Sequence, residues 1–169
     1  MARIVDDRDW GFGWIGDESP RSQLAGHALL ANGRVWLVDP PEPGPVEERI
    51  RDLGEPGGVI QLLDRHNRAS AALAERLGVP LWVVPVRTVA DAPFDFVPLV
   101  RNRWWVESAL WWPDRRVLVC ADALGTVAHY FRLSGAFDEP TVERRTPATH
   151  SGDPLYAVWA RRRPSDPPE

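Results

Sequence analysis

The feature that most constrains the fold is an apolar strand followed directly by a helix and then by a second apolar strand. Residues 58–63 (GVIQLL) lack the alternation of a half-buried strand, which predicts that both strand faces are covered. A helix is predicted over 69–77, with Asn67 as its cap and Gly78 at its end. The next strand, over 81–86, contains Pro85, which favours a sheet edge or a strand end. This order predicts a mixed α/β fold.

Hairpins are predicted on both sides of this unit. The first joins strands over 26–31 and 34–38 through Asn32-Gly33, a dipeptide that favours a tight turn, and its second strand ends at Asp39. The second occupies 104–122, turns at Pro113-Asp114-Arg115-Arg116 and ends at Asp122. Both hairpins therefore finish on a carboxylate at a strand end, a common place for a catalytic or metal-binding group.

The remaining segments carry weaker signals. A short helix is predicted over 46–53 and extended structure over 96–100, whereas residues 1–23 read as polar and irregular. Three aromatic side chains in that first segment are possible anchors onto the body: Trp10, Phe12 and Trp14. Residues 126–133 fit helix or strand, and 155–160 fit a last strand. We expect one domain over 1–160 and a disordered Arg/Pro-rich tail over 161–169.

Composition narrows the class of protein. The net charge is −4 and the basic residues are scattered among acids, so no nucleic-acid surface is predicted. All 20 basic residues are arginine, which is typical of a GC-rich bacterial genome. No apolar run is long enough to cross a membrane, and the N-terminus lacks a signal-peptide core. The single cysteine, Cys120, is expected to be buried, and a chain without disulfides suits the cytoplasm.

Three segments, in this order, resemble the metallo-β-lactamase-fold hydrolases: VWLVDPP, VIQLLDRHNRASAALAERLGVP and ALWWPDRRVLVCADAL. The resemblance covers roughly residues 24–124. It implies a small or truncated αββα sandwich of mixed sheets, with the family's metal site at the strand ends.

The resemblance also implies which residues occupy the family's site positions. Asp39 matches the aspartate of the first motif, and Asp122 matches the metal-bridging aspartate. The ligand positions of the second motif are taken by residues that are poor metal ligands: Arg65, Asn67, Ala69 and Ser70. His66 lies between two of these positions and is expected to point elsewhere unless the loop shifts, as a surface or helix-start residue.

Two further positions complete the comparison. Arg103 stands where the family has the histidine of its third motif, and His150 is the candidate for its last histidine. A hydrolytic metal site needs at least three good ligands and an open position for water, and the matched positions supply one. The family's zinc chemistry is therefore not carried over.

Three functional hypotheses follow. The first is a degenerate metallo-β-lactamase-like protein that lacks a working dinuclear site, needs no cofactor and has a binding or structural role. The second is a hydrolase with zinc or iron on a reduced site of Asp122 with His66 or His150. The third is a metal-free pocket, bounded by Asp39, His66 and Asp122, in which Arg65 and Arg103 bind a small anionic metabolite. In this pocket either arginine is a candidate partner of Asp122.

The second hairpin also carries a possible interaction surface. Its tryptophans form two doublets, Trp104-Trp105 and Trp111-Trp112. Because neighbouring residues of a strand point to opposite faces, each doublet is expected to place one ring inward and one outward. The outward rings, side by side across the hairpin, would form an aromatic patch for a homodimer, unless the N-terminal segment covers them.

Overall fold

Two β-sheets of unequal size form the frame of the structure. The computed structural model describes residues 2–16, 24–103 and 105–123. Six strands form the larger sheet, and their order in the sheet is their order in the chain: β1 Arg3–Arg8, β2 Gly11–Ile15, β3 Ala25–Ala31, β4 Arg34–Val38, β5 Pro56–Gln61 and β6 Leu81–Val83. Three strands form the smaller sheet: β7 Asp95–Arg101, β8 Val106–Trp112 and β9 Val117–Val119.

The first predicted hairpin is confirmed. Strands β3 and β4 are antiparallel and are joined by Asn32 and Gly33, both of which adopt positive φ (50° and 73°). Two consecutive left-handed residues are the conformation of a type I′ turn, whose twist matches that of the flanking strands. This hairpin fixes β4, and therefore the position of the residue that follows it.

Two crossover helices connect the three parallel strands, β4, β5 and β6, at one side of the larger sheet. Helix α1 (Glu47–Leu53) connects β4 to β5, and helix α2 (Ser70–Leu77) connects β5 to β6. Helix α2 ends at Gly78, which has φ 65° and caps the helix as expected. Because β4 and β5 are parallel, the loops that leave their carboxyl ends meet at one edge of the sheet.

Two hydrophobic clusters occupy the two faces of the larger sheet. One lies between the sheets and includes Trp36 and Ile60 from the larger sheet and Leu110 and Val119 from the smaller. The other lies under the helices and includes Phe12, Trp14, Leu37, Ile50 and Leu73. The described residues thus form three layers, namely helices, larger sheet and smaller sheet. They include no helix on the far face of the smaller sheet, so the complete αββα sandwich stays a prediction.

The N-terminal segment differs from its prediction. Residues 1–23 were expected to be irregular, yet β1 and β2 pair with each other, and β2 pairs with β3. The sequence did not predict these strands because they contain glycine and aspartate, which are disfavoured in strands on average. A Cβ at Gly13 would lie 3.1 Å from Nδ1 of His27, so a side chain there would require the neighbouring side chains to shift by a few tenths of an ångström. Phe12 and Trp14 are buried, as expected of anchors.

Smaller differences concern element ends. Strand β6 stops at Val83 rather than 86, because Val84 has φ 46° and Pro85 follows it. Asn67 does not cap α2, whose N-cap position is Ala69 with no side-chain hydrogen bond. Cys120 is buried as expected, and burial raises the pKa of its thiol. Neither described helix has the length and apolar character that a bilayer crossing needs.

Candidate functional site

Three chain segments meet at the carboxyl edge of β4 and β5. They are the residue after β4, the loop after β5, and the loop after β9. Asp39 directly follows β4 with φ 44°, a left-handed conformation that aspartate tolerates better than most residues. Its backbone N–H donates to the carbonyl of Ile60 at 2.8 Å, and its Oδ1 accepts from the N–H of Leu62 at 2.9 Å. Asp39 thereby ties the end of β4 to the end of β5.

His66 lies between two carboxylates. Its Nδ1 is 3.4 Å from Oδ2 of Asp39, within ion-pair distance but without hydrogen-bond geometry, and its Nε2 is 3.3 Å from Oδ1 of Asp122. Only 11% of the His66 side chain is exposed. A tight turn, in which the N–H of His66 donates to Leu63 at 3.0 Å, brings the side chain back over the strand ends. The expectation that His66 is a surface residue pointing elsewhere is therefore wrong.

Arg68 supplies a second cation at the same place. Its Nη1 donates to the backbone carbonyls of Ala25 at 2.8 Å and Asp39 at 3.1 Å. Its Nη2 lies 3.2 Å from Nε2 of His66. Sequence reasoning missed this residue because an arginine in a polar loop has the signature of an ordinary solvated charge.

Charge explains how these groups titrate. Burial lowers the pKa of His66, but the contacts with Asp122 and Asp39 outweigh it and raise that pKa above its ordinary value of 6.5. The hydrogen bond from His66 holds the pKa of Asp122 below its ordinary value of 3.8, and the nearby guanidinium groups of Arg68 and Arg65 act in the same direction. With His66 protonated, two cations balance two carboxylates.

A second histidine nearby behaves differently. His27 on β3 is buried, and burial together with the positive charge of Arg68 lowers its pKa to about 3. His27 is therefore a neutral imidazole packed in the larger sheet. The pKa values of His27 and His66 are shifted in opposite directions, and the two carboxylates beside His66 account for its rise.

Glu107 on β8 is a further ionisable residue that sequence reasoning missed. It is fully buried, and its carboxylate accepts hydrogen bonds from the backbone N–H groups of Ala121, Asp122 and Ala123, at 2.9–3.2 Å. The indole N–H of Trp105 donates to it at 2.9 Å. Burial raises the pKa of Glu107, and these donors oppose the rise. The only sequence signal is an acid within the apolar strand VESALWW.

The other predicted site residues lie near this edge. Arg65 has a side chain that is 52% exposed, with Cζ 5.8 Å from the ring centre of Trp105 and Nε 3.8 Å from Asp64. Arg103 is exposed in the turn between β7 and β8. An arginine was the predicted partner of Asp122. Among the described residues, Asp122 instead forms its ion pair with His66. His150 lies outside the described residues.

The donor set does not suit a metal ion. Asp39 and Asp122 face opposite nitrogens of one imidazole, so the three side chains cannot converge on a single ion without rotating the ring. A guanidinium also lies beside Nε2, where it would repel a cation. In residues 2–16, 24–103 and 105–123, no group of three or more His, Cys, Asp or Glu side chains is arranged to hold a metal.

The Trp111-Trp112 doublet places its two rings on opposite faces of the strand, as predicted. Trp112 points inward, with ring centroids 5.7 Å from Trp10 and 5.4 Å from Phe94, whereas Trp111 packs on the opposite face with Ala109. Trp105 and Trp111 lie at opposite ends of one strand segment, roughly 20 Å apart at strand rise. Trp105 and Trp111 therefore do not lie side by side. Trp104 lies outside the described residues, and the homodimer itself stays a prediction.

Comparisons with known proteins give only a distant likeness. No family model matches the chain, and no curated protein matches it. Among solved structures, two crystal structures of the DIM-1 metallo-β-lactamase, one of them exposed to ceftazidime, match with TM-scores of 0.49 and 0.47 at 12% and 13% identity, each covering 70% of this chain and 68% of the other. A structure of TMB-1 matches with a TM-score of 0.46 at 10% identity, covering 69% and 68%. Because the similarity is this low, the family resemblance rests on the sequence motifs alone.

Proposed function

We propose that this protein is a metal-free, metallo-β-lactamase-like protein with a binding or structural role, in which an internal ion network replaces the metal centre. The network consists of Asp39, His66, Arg68 and Asp122. The observation that carries the proposal is the position of His66, whose two ring nitrogens face two different carboxylates. An imidazole used in this way has no lone pair left for a metal when it is protonated.

Charge balance supports the same conclusion. One buried and one half-exposed carboxylate at the strand edge need positive charge, which a hydrolase of this type would obtain from metal ions. Here the imidazolium of His66 and the guanidinium of Arg68 provide it, and Arg68 is also fixed by two backbone carbonyls. A metal entering the site would have to displace or deprotonate these cations, which lowers its affinity.

Metal analysis tests the proposal. Purified protein, expressed in medium supplemented with zinc and iron, is expected to contain well under 0.1 equivalent of either metal per chain. Calorimetric titration with Zn²⁺ is expected to give the same weak heats for the wild type and for Asp122→Asn. About one equivalent of tightly bound metal, lost in Asp122→Asn, would instead establish the reduced hydrolase site on Asp122 with His66 or His150.

A second candidate is a small-anion site on Arg65 and Arg103. It is favoured by the geometry of Arg65, whose half-exposed guanidinium lies over the ring of Trp105. Trp105 is two residues after Arg103 in the chain. A guanidinium held by an aromatic face is ordered in advance for carboxylate or phosphate. In this candidate the network beneath is structural and the arginines contact the ligand.

Thermal-shift measurements with phosphate, citrate and acetate test this second candidate. Stabilisation that is lost in Arg65→Ala and in Arg103→Ala, but kept in Arg34→Ala, is the expected result. Arg34 is a suitable control because it is exposed at the start of β4, away from the carboxyl edge. Equal responses of all three variants would show that anions act only through general charge screening.

A further inference from the structure

The carboxylate of Glu107 is held by three consecutive backbone N–H groups of the loop after β9. We propose that Glu107 is a positioning residue that orders residues 121–123 and thereby holds Asp122 against His66. This role rests on the proposed function in one respect, because the groups that Glu107 positions belong to the same ion network.

The loop geometry is the first support. Successive N–H groups that converge on one point form a concave anion-binding arrangement. Both oxygens of Glu107 are used: Oε1 accepts from Ala121 and Ala123 at 3.0 and 3.1 Å, and Oε2 accepts from Asp122 and Ala123 at 3.2 and 2.9 Å. The anion that fills this arrangement is thus a side chain of the protein itself.

Asp122 is consequently held from two directions. Its backbone N–H contacts Glu107, while its side chain, 45% exposed, reaches His66 at 3.3 Å. A half-exposed carboxylate on an unsupported loop would sample many orientations, and ordering it costs conformational entropy. Fixing the loop backbone beforehand reduces that cost and favours the contact with His66.

Glu107 is also fixed to the other loop of the network. Its backbone forms a β-bridge with Leu63, and neighbouring bonds run from Ser108 to Leu62 (3.0 Å) and from Asp64 to Val106 (3.1 Å). The N–H of His66 donates to Leu63. One residue therefore touches both segments: its backbone pairs with the His66 segment, and its side chain holds the Asp122 segment.

Only a carboxylate meets these requirements at position 107. Five contacts from four N–H donors require an acceptor with two oxygens, and a charged acceptor strengthens each bond. Glutamine offers one acceptor oxygen, and its NH₂ would face backbone N–H groups. We therefore expect Glu107→Gln to release the loop even though its size is unchanged.

Hydrogen exchange of the wild type is the first test, because it needs no variant. The amides of Ala121, Asp122 and Ala123 are expected to exchange at least 100-fold more slowly than an unstructured chain of the same sequence. Exchange at the unstructured rate would overturn the proposal. Metal analysis is independent of this result, so failure of the proposed function and failure of this inference are distinguishable.

The second test is the titration of His66. NMR signals of the four histidines monitor it, and the His66→Gln variant assigns the signal of His66. In Glu107→Gln the pKa of His66 is expected to fall toward its ordinary value, and the three loop amides to exchange at least tenfold faster. Ser108→Ala, on the same strand and equally buried, is expected to change neither. An unchanged His66 titration in folded Glu107→Gln would overturn the proposal.

A third variant keeps the test decisive if Glu107→Gln does not fold. Glu107→Ala leaves a space next to the three N–H groups that formate or acetate fits. Recovery of folding or of the His66 titration with added formate, but not with equal chloride, supports the positioning role. Stable Glu107→Ala protein with a wild-type His66 titration and no response to formate contradicts it.

Discussion

The guanidinium of Arg68 lies 3.2 Å from Nε2 of His66, so two cationic groups meet at one end of the site whenever His66 is protonated. Such a contact is unfavourable in isolation. It is sustained because Asp39 and Asp122 flank the imidazole and because backbone carbonyls bind Arg68. The stability of the site therefore depends on all four groups together, and removing any one of them should affect the others.

Replacing His66 tests this dependence. We expect His66→Gln to lower the free energy of unfolding by about 2 kcal/mol, because it leaves two carboxylates facing each other without the imidazolium. Urea unfolding at pH 6 measures the change. Arg65→Ala, a half-exposed neighbour, is the control and is expected to change stability by about 0.5 kcal/mol or less. Equal effects of the two substitutions would show that His66 has no special role.

The same variant predicts a pH dependence. The pKa of His66 is raised in the folded state, so its contribution is complete below the unfolded value of 6.5 and is lost as the pH rises through the folded pKa. The pKa of Asp122 is lowered, so its contribution is complete above 3.8 and is lost at more acid pH. The stability difference between wild type and His66→Gln should be largest between these values and narrow in alkaline buffer. A stability difference between the wild type and His66→Gln that grows above pH 8 would contradict the expected loss of the His66 contribution.

Asp6 is expected to destabilise the protein at neutral pH. Burial raises its pKa to about 6, against the effect of Arg8, and within the described residues its Oδ2 has no hydrogen-bond partner. Stability should therefore fall as the pH rises from 3.8 to about 6. Asp6→Asn, which also tolerates the positive φ of this position, should raise stability at pH 7.5 by about 1 kcal/mol after allowance for solvent screening.

The pH dependence of that gain separates it from a general surface effect. Near pH 4, where Asp6 is protonated in the folded state, the wild type and Asp6→Asn should be equally stable. Asp7→Asn provides a matched neighbour, because Asp7 is half-exposed and pairs with Arg49 at 3.0 Å. Asp7→Asn should not raise the stability of the protein either near pH 4 or at pH 7.5.

Gly58 on β5 is expected to be intolerant of a side chain. A Cβ at this position would collide with the ring of Trp82 and would lie 3.1 Å from Cζ3 of Trp36. Gly58→Ala should therefore cost about 1–3 kcal/mol of unfolding free energy. In a Trp82→Ala background the same substitution should cost less than half as much, because the main obstacle is gone. Equal costs in both backgrounds would place the strain elsewhere.

Local signals in the sequence predicted the elements that local chemistry determines. The Asn32-Gly33 turn, the glycine at the end of α2 and the strand that ends at Asp39 depend on neighbouring residues only. These predictions are confirmed because a turn or cap residue acts within a few positions of itself. The placement of Asp39 and Asp122 in one site was instead implied by the family resemblance.

The missed features depend on contacts between distant segments. Strand β2 is stabilised by pairing with β3, which its glycine-rich sequence does not reveal. His66 turns inward because carboxylates from two other segments attract it, and Glu107 is recognisable only once the loop after β9 is seen around it. Register counting along one chain treats each loop separately, so it assigned His66 to the surface and overlooked Glu107.

The strand order of the larger sheet has a consequence for how the chain is assembled. Each of its strands pairs with the one made just before it, from β1 to β6. During synthesis every new strand finds its partner already present, and no edge has to wait for a distant segment. Among the described strands, the late event is the docking of the β7–β9 sheet, which brings Glu107 and Asp122 to His66. We therefore expect the site to be the last part of the described chain to acquire its native contacts.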